Sequence, residues 1–145
     1  MAITESGGAP SAPHEHAGAT FRPLSAIPIQ KIWPGLDARF LHAGGLSFGI
    51  IEVAPNAVVP EHAHHNVQVG MVLSGSLALT VAGERRELGP GDTWSIGSNA
   101  LHDATGGPDG AVIVETWSPE RGDFAQMPES GLAEPHWPSR AKPPV

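Results

Sequence analysis

Three histidines and one glutamine in the middle of the chain have the residue types and the spacing of metal ligands. His62 and His64 are two residues apart, so their side chains point to the same face if they lie on a β-strand. Gln68 has the same parity four residues later, and His102 follows a Gly-Asp turn. Two antiparallel strands would bring these side chains to one point, where imidazole nitrogens and an amide oxygen suit divalent Mn, Fe, Ni, Co or Zn. Ordinary surface or core histidines are the alternative.

A carboxylate, an indole and a guanidinium follow later in the chain. Glu115 and Trp117 share one face of a predicted strand by parity. If that face is the interior, Glu115 can move protons beside the metal, which would lower its pKa while burial would raise it. A solvated position or an ion pair with Arg121 is the alternative. Arg121 could hold a substrate carboxylate through two hydrogen bonds or form a surface salt bridge, and Trp117 is expected in the core or the pocket wall.

Short apolar or alternating segments predict the strands that would position these residues. Because 18 Gly and 15 Pro residues argue against a mostly helical chain, we predict an all-β fold, a closed or sandwiched antiparallel barrel. Turn-forming residues predict a turn at 74–76, a hairpin at 83–84 and a loop at 106–110. The predicted strands are 46–53, 67–73, 77–81, 85–88, 93–96, 101–104 and 111–117.

The two ends of the chain differ in composition from the middle. Residues 1–20 are small, polar and spotted with proline, which predicts a disordered tail that includes His14 and His16. Residues 21–125 are predicted to form the barrel. Residues 126–145 are rich in proline and predict an extended C-terminal arm, which Trp137 would pack onto the barrel or onto a second subunit.

The overall composition excludes several classes of function. The chain has 15 acidic and 8 basic residues and a net charge of −7, which argues against nucleic acid or an anionic membrane as a partner. It has no cysteine, so disulfides, thiolate metal sites and cysteine nucleophiles are excluded. No apolar run approaches the roughly 20 residues of a membrane span. The N-terminus lacks the pattern of a secretory signal, so we predict a cytoplasmic protein.

Two separated motifs resemble those of the cupin superfamily. Residues 60–68, PEHAHHNVQ, followed by Gly75, are similar to the first cupin motif. Residues 89–92, GPGD, leading to His102, are similar to the second. The resemblance covers roughly residues 30–117 and implies a single jelly-roll barrel. It implies one divalent metal ion per chain, held by His62, His64, Gln68 and His102.

A narrower resemblance links the chain to the pectin-degradation cupins, which help convert unsaturated uronates to linear keto sugars. That family has an Asp, an aromatic residue and an Arg facing the metal, and here Glu115, Trp117 and Arg121 occupy the three places. The resemblance therefore implies catalytic roles for Glu115 and Arg121 and a place in the substrate pocket for Trp117. Met71 stands where the family often has an aromatic residue, which implies a pocket position and a less polar substrate.

Gln68 departs from the family pattern, because most cupins carry glutamate at this position. Three neutral histidines and a neutral glutamine leave the ion one charge more positive than a glutamate would. A more positive ion polarises a carbonyl or acidifies a bound water more strongly. This difference favours Lewis-acid chemistry over oxygen chemistry.

These observations together predict a metal-dependent enzyme that acts as a Lewis acid on a small hydroxy or keto compound. The reaction would be an isomerisation, a lyase-type elimination or a ring opening, with Glu115 moving a proton. A metal-dependent dioxygenase is the first alternative, and a non-catalytic module that binds a sugar or another small molecule is the second. The resemblance also implies a homodimer formed through edge strands and swapped arms.

Overall fold

The computed structural model describes residues 18–138, and in this range antiparallel β-strands dominate. A 3₁₀ turn over Leu24–Ala26 precedes the strands, and one helical turn, α1 (Gly122–Ala125), follows them. The strands are β1 (Gln30–Trp33), β2 (Leu36–Ala43), β3 (Leu46–Val53), β4 (Val58–His62), β5 (Val67–Val81), β6 (Glu84–Leu88), β7 (Thr93–Ile96) and β8 (His102–Ser118). The all-β prediction is confirmed, and the strands β1, β2 and β4 add to those that the sequence indicated.

Two long strands, β5 and β8, belong to both layers of the barrel. The C-terminal part of β8 pairs with β3, and its N-terminal part pairs with β4. The first part of β5 pairs with β7, and its last part pairs with β6. Since β5 and β8 also pair with each other along their length, they connect the layer β1-β2-β3-β8-β5-β7 to the layer β4-β8-β5-β6. This arrangement is a single jelly-roll barrel.

The turn predicted at 74–76 and the loop predicted at 106–110 are wrong, because both segments lie inside these long strands. The β5–β8 register shifts there: Gly75 pairs with Ala111, whereas Leu77 pairs with Gly106. Gly75 has a φ of 75°, and a Cβ at this residue would lie 2.1 Å from the carbonyl oxygen of Gly110. The turn-forming residues therefore mark bulges, which bend the strands from one layer into the other.

The core cluster consists of aliphatic and aromatic side chains that pack inside the barrel. Phe40 on β2 stacks on Phe124 of α1 at a ring-centroid distance of 4.8 Å, and Trp117 packs edge-on against both rings. Burial of Phe124 fixes α1 against the barrel, which places Arg121, the residue before α1, at the cavity described below. The core cluster consists of Leu36, Ala38, Phe40, Ile51, Val53, Val72, Leu77, Ala111, Ile113, Trp117 and Phe124.

The part of the C-terminal arm that the structure describes, residues 126–138, packs on the barrel of its own chain. Ile29 exchanges backbone hydrogen bonds with this segment, donating to Gly131 and accepting from Ser130. Arg39 on the outside of β2 donates to the carbonyl of Ala133 over 2.7 Å and is 1% exposed. The predicted boundaries at residues 20 and 125 remain predictions, and His14 and His16 lie outside the described residues. Between residues 18 and 138, no helix has the length and hydropathy needed to span a bilayer.

Candidate functional site

Three imidazoles converge at one end of the barrel interior. One ligand nitrogen from each of His62, His64 and His102 lies within 4.8 Å of the other two. His62 ends β4 and pairs directly with His102, the first residue of β8. His64 lies in the connection between β4 and β5, so the expectation that His62 and His64 share a strand is wrong. In that connection the buried Asn66 donates a 2.6 Å hydrogen bond to the carbonyl of Pro119, which anchors the segment.

Backbone carbonyls orient all three rings. Nδ1 of His62 lies 2.7 Å from the Pro60 oxygen, Nδ1 of His64 lies 3.0 Å from the Asn66 oxygen, and Nδ1 of His102 lies 2.8 Å from the Ala100 oxygen. Because a carbonyl only accepts, each Nδ1 carries the proton and each Nε2 offers a lone pair. Nε2 of His102 is buried and has no hydrogen-bond partner among the described residues. A cation at this point would satisfy that nitrogen.

Gln68 adds an oxygen to the same point. Its Oε1 lies 3.0 Å from Nε2 of His64, so two acceptors face each other. Protonation of His64 would relieve this contact, but burial and the nearby Arg121 charge lower the pKa of that imidazole. Two ligands at 2.0–2.2 Å from one ion and at right angles are about 3 Å apart. The donor set therefore fits a divalent ion held by three imidazoles and an amide oxygen.

Glu115 lies directly behind Gln68. Its Oε1 accepts a 2.5 Å hydrogen bond from Nε2 of Gln68 and a 3.2 Å hydrogen bond from Nε1 of Trp94. Burial raises the pKa of Glu115 to about 7, although both hydrogen bonds and the Arg121 charge oppose this rise. A carboxyl group with that pKa can both accept and return a proton near neutral pH.

A cavity of about 280 Å³ connects these groups to the barrel interior. The polar residues that line it are His62, Gln68, His102, Asp103, Glu115, Arg121 and Asp123. Trp117 and Phe124 also line it, and most of the remaining wall is aliphatic. A small molecule could thus contact the candidate metal ligands and the buried carboxyl group at the same time.

The structure does not bring Met71 to this cavity, contrary to the expectation from the resemblance. Met71 pairs with Val114 and Thr93 in the sheet, and its parity is opposite to that of Gln68 and Gly70. Because paired residues on adjacent strands share a face, Met71 lies on the outer face of the barrel.

Trp94 also belongs to the site, although its alternation with Ile96 along the sequence is typical of a core position. Trp94 does pack against the core cluster, but its indole N–H also reaches Glu115. Gly70 pairs with both Trp94 and Glu115, and a Cβ at Gly70 would lie 2.4 Å from the indole ring. A glycine inside a strand is a signal of such close approach.

Comparison with known proteins identifies the family. The cupin domain model matches residues 49–118. The pectin degradation protein KdgF of Dickeya dadantii (strain 3937) is 32% identical over 99 residues, which are 67% of this chain and 90% of that protein. The solved structure of KdgF from Halomonas sp. is 25% identical with a TM-score of 0.68, over 73% of this chain and 98% of that chain. An RmlC-like cupin from Shewanella frigidimarina is 29% identical with a TM-score of 0.68, over 74% and 96%. The chain belongs to the cupin family.

Proposed function

We propose that this cupin is a metal-dependent isomerase that opens the ring of an unsaturated uronate or a closely similar hydroxy or keto acid. The observation that carries the proposal is a buried carboxyl group, Glu115, hydrogen-bonded to Gln68 beside three convergent imidazoles. The similarity to pectin degradation protein KdgF supports the substrate class.

The ion would be held by the three imidazole Nε2 atoms and by Oε1 of Gln68. A divalent cation in this position supplies Lewis acidity to an oxygen atom of the substrate. Backbone carbonyls fix the imidazoles and Glu115 fixes the amide of Gln68, so the ligands are oriented before any ion or substrate binds.

The chemistry of an unsaturated uronate needs one proton to be moved between two atoms. Removal of the anomeric hydroxyl proton breaks the bond between the anomeric carbon and the ring oxygen, which leaves an aldehyde and an enolate conjugated with the carboxylate. The carbon of the double bond that does not carry the former ring oxygen then takes up the proton, and the enolate becomes a ketone. The reaction is an isomerisation that consumes neither water nor an oxidant, and Glu115 has the pKa to accept and return that proton.

The test is turnover of a monomeric unsaturated galacturonate by the purified protein. We expect the ultraviolet absorbance of the conjugated double bond to fall much faster than in buffer. Glu115→Gln should lose at least about a hundredfold of this rate, the lower end for a lost general acid or base, while it keeps its metal. Glu84→Gln is the matched control, because Glu84 is exposed on β6 and does not line the cavity.

Three outcomes would contradict the proposal in different ways. A rate equal to that in buffer, with the metal bound, would refute the substrate class. Turnover that stops when oxygen is removed would favour the dioxygenase alternative. Binding of the uronate without any turnover would favour the non-catalytic module.

The homodimer and the cytoplasmic location remain predictions. Sedimentation equilibrium of the purified chain would test the first, and fractionation of cells that express it would test the second.

A further inference from the structure

We propose that Asp123 determines specificity by competing with the carboxylate of an anionic substrate for the guanidinium of Arg121. The proposal rests on the proposed function in one respect, namely that the substrate is an acid. It concerns the strength with which the cavity binds an anion, and it does not concern the reaction itself.

Arg121 holds Asp123 in the same way that an arginine holds a bound carboxylate ligand. Nε of Arg121 donates to Oδ1 of Asp123 over 2.9 Å, and Nη2 donates to Oδ2 over 2.7 Å. These two parallel hydrogen bonds are the arrangement in which arginine binds a planar carboxylate. The carboxylate of Asp123 therefore occupies the positions that a substrate carboxylate would use on this face of Arg121.

The position of the pair connects it to the reaction site. Arg121 and Asp123 both line the cavity that contains Glu115 and the candidate metal ligands His62 and His102. A substrate that fills this cavity with its carboxylate toward Arg121 thus meets the side chain of Asp123.

The two partners differ in how firmly they are held. The Arg121 side chain is 11% exposed, and its guanidinium lies 3.9 Å from the ring centroid of the buried Phe124. The backbone N–H of Arg121 also donates to Oγ of Ser47 over 2.8 Å. Asp123 is 59% exposed, so it can rotate into water while Arg121 stays in place. Displacement of Asp123 then costs only an ion pair that water already screens on one side.

The consequence is selection by charge. A neutral ligand leaves the Arg121–Asp123 pair intact, whereas the carboxylate of an anionic ligand can bind the Arg121 guanidinium only by displacing Asp123. Removal of the Asp123 charge should therefore strengthen the binding of carboxylates specifically.

The experiment compares D-galacturonate with D-galactose, which has a hydroxymethyl group in place of the carboxylate, by titration calorimetry on the metal-containing protein as purified. We expect Asp123→Asn to bind galacturonate about fivefold more tightly than the wild type, the size of a partly exposed ion pair. The affinity for galactose should not change. Asp123→Glu keeps a carboxylate and should behave like the wild type.

Asp103→Asn is the charge-matched control. Asp103 lines the same cavity, so this variant removes one negative charge without touching the Arg121–Asp123 pair. An equal gain in galacturonate affinity for Asp103→Asn and Asp123→Asn would show a general charge effect and overturn the competition. No gain for Asp123→Asn, including the absence of measurable binding in both proteins, would overturn it as well.

A double variant links the effect to Arg121. Arg121→Lys keeps the charge but cannot form two parallel hydrogen bonds, so Asp123→Asn should give no gain in an Arg121→Lys background. Galacturonate has no ring double bond and is not turned over, so this binding result is independent of the isomerase assay. If Asp123→Asn binds galacturonate more tightly but the unsaturated galacturonate is not turned over, only the proposed function is refuted. If the unsaturated galacturonate is turned over but Asp123→Asn binds galacturonate no more tightly, only the competition is refuted.

Discussion

The amide nitrogen of Gln68 donates a 2.5 Å hydrogen bond to the carboxylate of Glu115. This contact fixes which end of the Gln68 amide faces the imidazoles, because the nitrogen is engaged and the oxygen is left toward His64. It also places a carboxylate one hydrogen bond away from the position where most cupins have a glutamate ligand. Whenever Glu115 is ionised, the positive charge of the site is therefore lower than that of an ion with four neutral ligands.

Gln68→Glu should separate metal affinity from activity. The new carboxylate would keep or strengthen metal binding through its charge, but it would face Glu115 where an amide N–H now donates. Two carboxyl groups in contact hold one proton between them, so Glu115 would no longer be free to transfer it. We expect full metal content by elemental analysis and a reduced kcat.

The double variant Gln68→Glu, Glu115→Gln provides the control for this prediction. It restores one amide and one carboxylate in reversed order, so the hydrogen bond should form again and metal content should stay high. Activity should not return, because the carboxylate is now a ligand. Wild-type kinetics in the single variant would show that the Gln68–Glu115 contact has no part in the reaction.

His62→Ala and His102→Ala should abolish stoichiometric metal after purification. Each substitution removes one of three Nε2 donors that share a single point, and the remaining donors hold an ion far more weakly. His65→Ala is the matched control, since His65 adjoins His64 in the chain but is exposed. Full metal occupancy in both ligand variants would contradict the site, as would loss of the metal from His65→Ala.

The sequence predicts the all-β fold, which is confirmed. It also predicts a metal site at His62, His64, Gln68 and His102, which stays a prediction although the three imidazoles converge. Parity along a single strand does not bring His62 and His64 together, because the chain leaves β4 at His62 and His64 lies in a connection. Their convergence instead depends on the pairing of His62 with His102 and on the anchoring of Asn66. Such long-range contacts are not encoded in local periodicity.

The errors at Gly75 and Met71 have related causes. The residues around Gly75 indicate that the backbone departs there from regular strand geometry. Turns and bulges use the same residue types, so only the register with β8 shows that this departure is a bulge. The family resemblance implies a pocket position for Met71, whereas the alternation of β5 from Gln68 puts it on the outer face. Here local parity was the better guide.

The stability of the metal-free protein should depend on pH through Glu115. The pKa of Glu115 is about 7 in the folded protein and 4.5 in the reference state, so the folded state binds more protons between these values. The contribution of Glu115 to the free energy of unfolding is fully present below pH 4.5 and is lost as the pH rises through about 7. The loss amounts to about 3 kcal/mol.

Urea unfolding of the wild type and Glu115→Gln at about pH 5 and about pH 8 measures this contribution. His64 and His102 have lowered pKa values, mainly because of burial, and they change stability in the opposite sense. They are present in both proteins, so the difference between the two pH dependences isolates Glu115. Parallel pH dependences in the two proteins would show that Glu115 is ionised at both pH values.

Gly70→Ala should disturb the hydrogen bond between Trp94 and Glu115. The added Cβ would lie 2.4 Å from Cζ2 and 2.8 Å from Nε1 of Trp94, so the indole must move and its N–H must leave the carboxylate. Overpacking of this kind costs about 1–3 kcal/mol, which urea unfolding would measure. Gly97→Ala is the matched control, because no atom of residues 18–138 lies within 4 Å of a Cβ at Gly97, and it should change stability little.

The Trp94→Phe background tests whether contact with the indole causes the destabilisation by Gly70→Ala. Phenylalanine lacks the second ring that meets Gly70, so Gly70→Ala should cost markedly less in that background, which gives a coupling energy in a double-mutant cycle. Trp94→Phe also removes one donor to the charged carboxylate, so the pKa of Glu115 should rise further. An equal cost of Gly70→Ala in both backgrounds would mean that the indole and the glycine do not constrain each other.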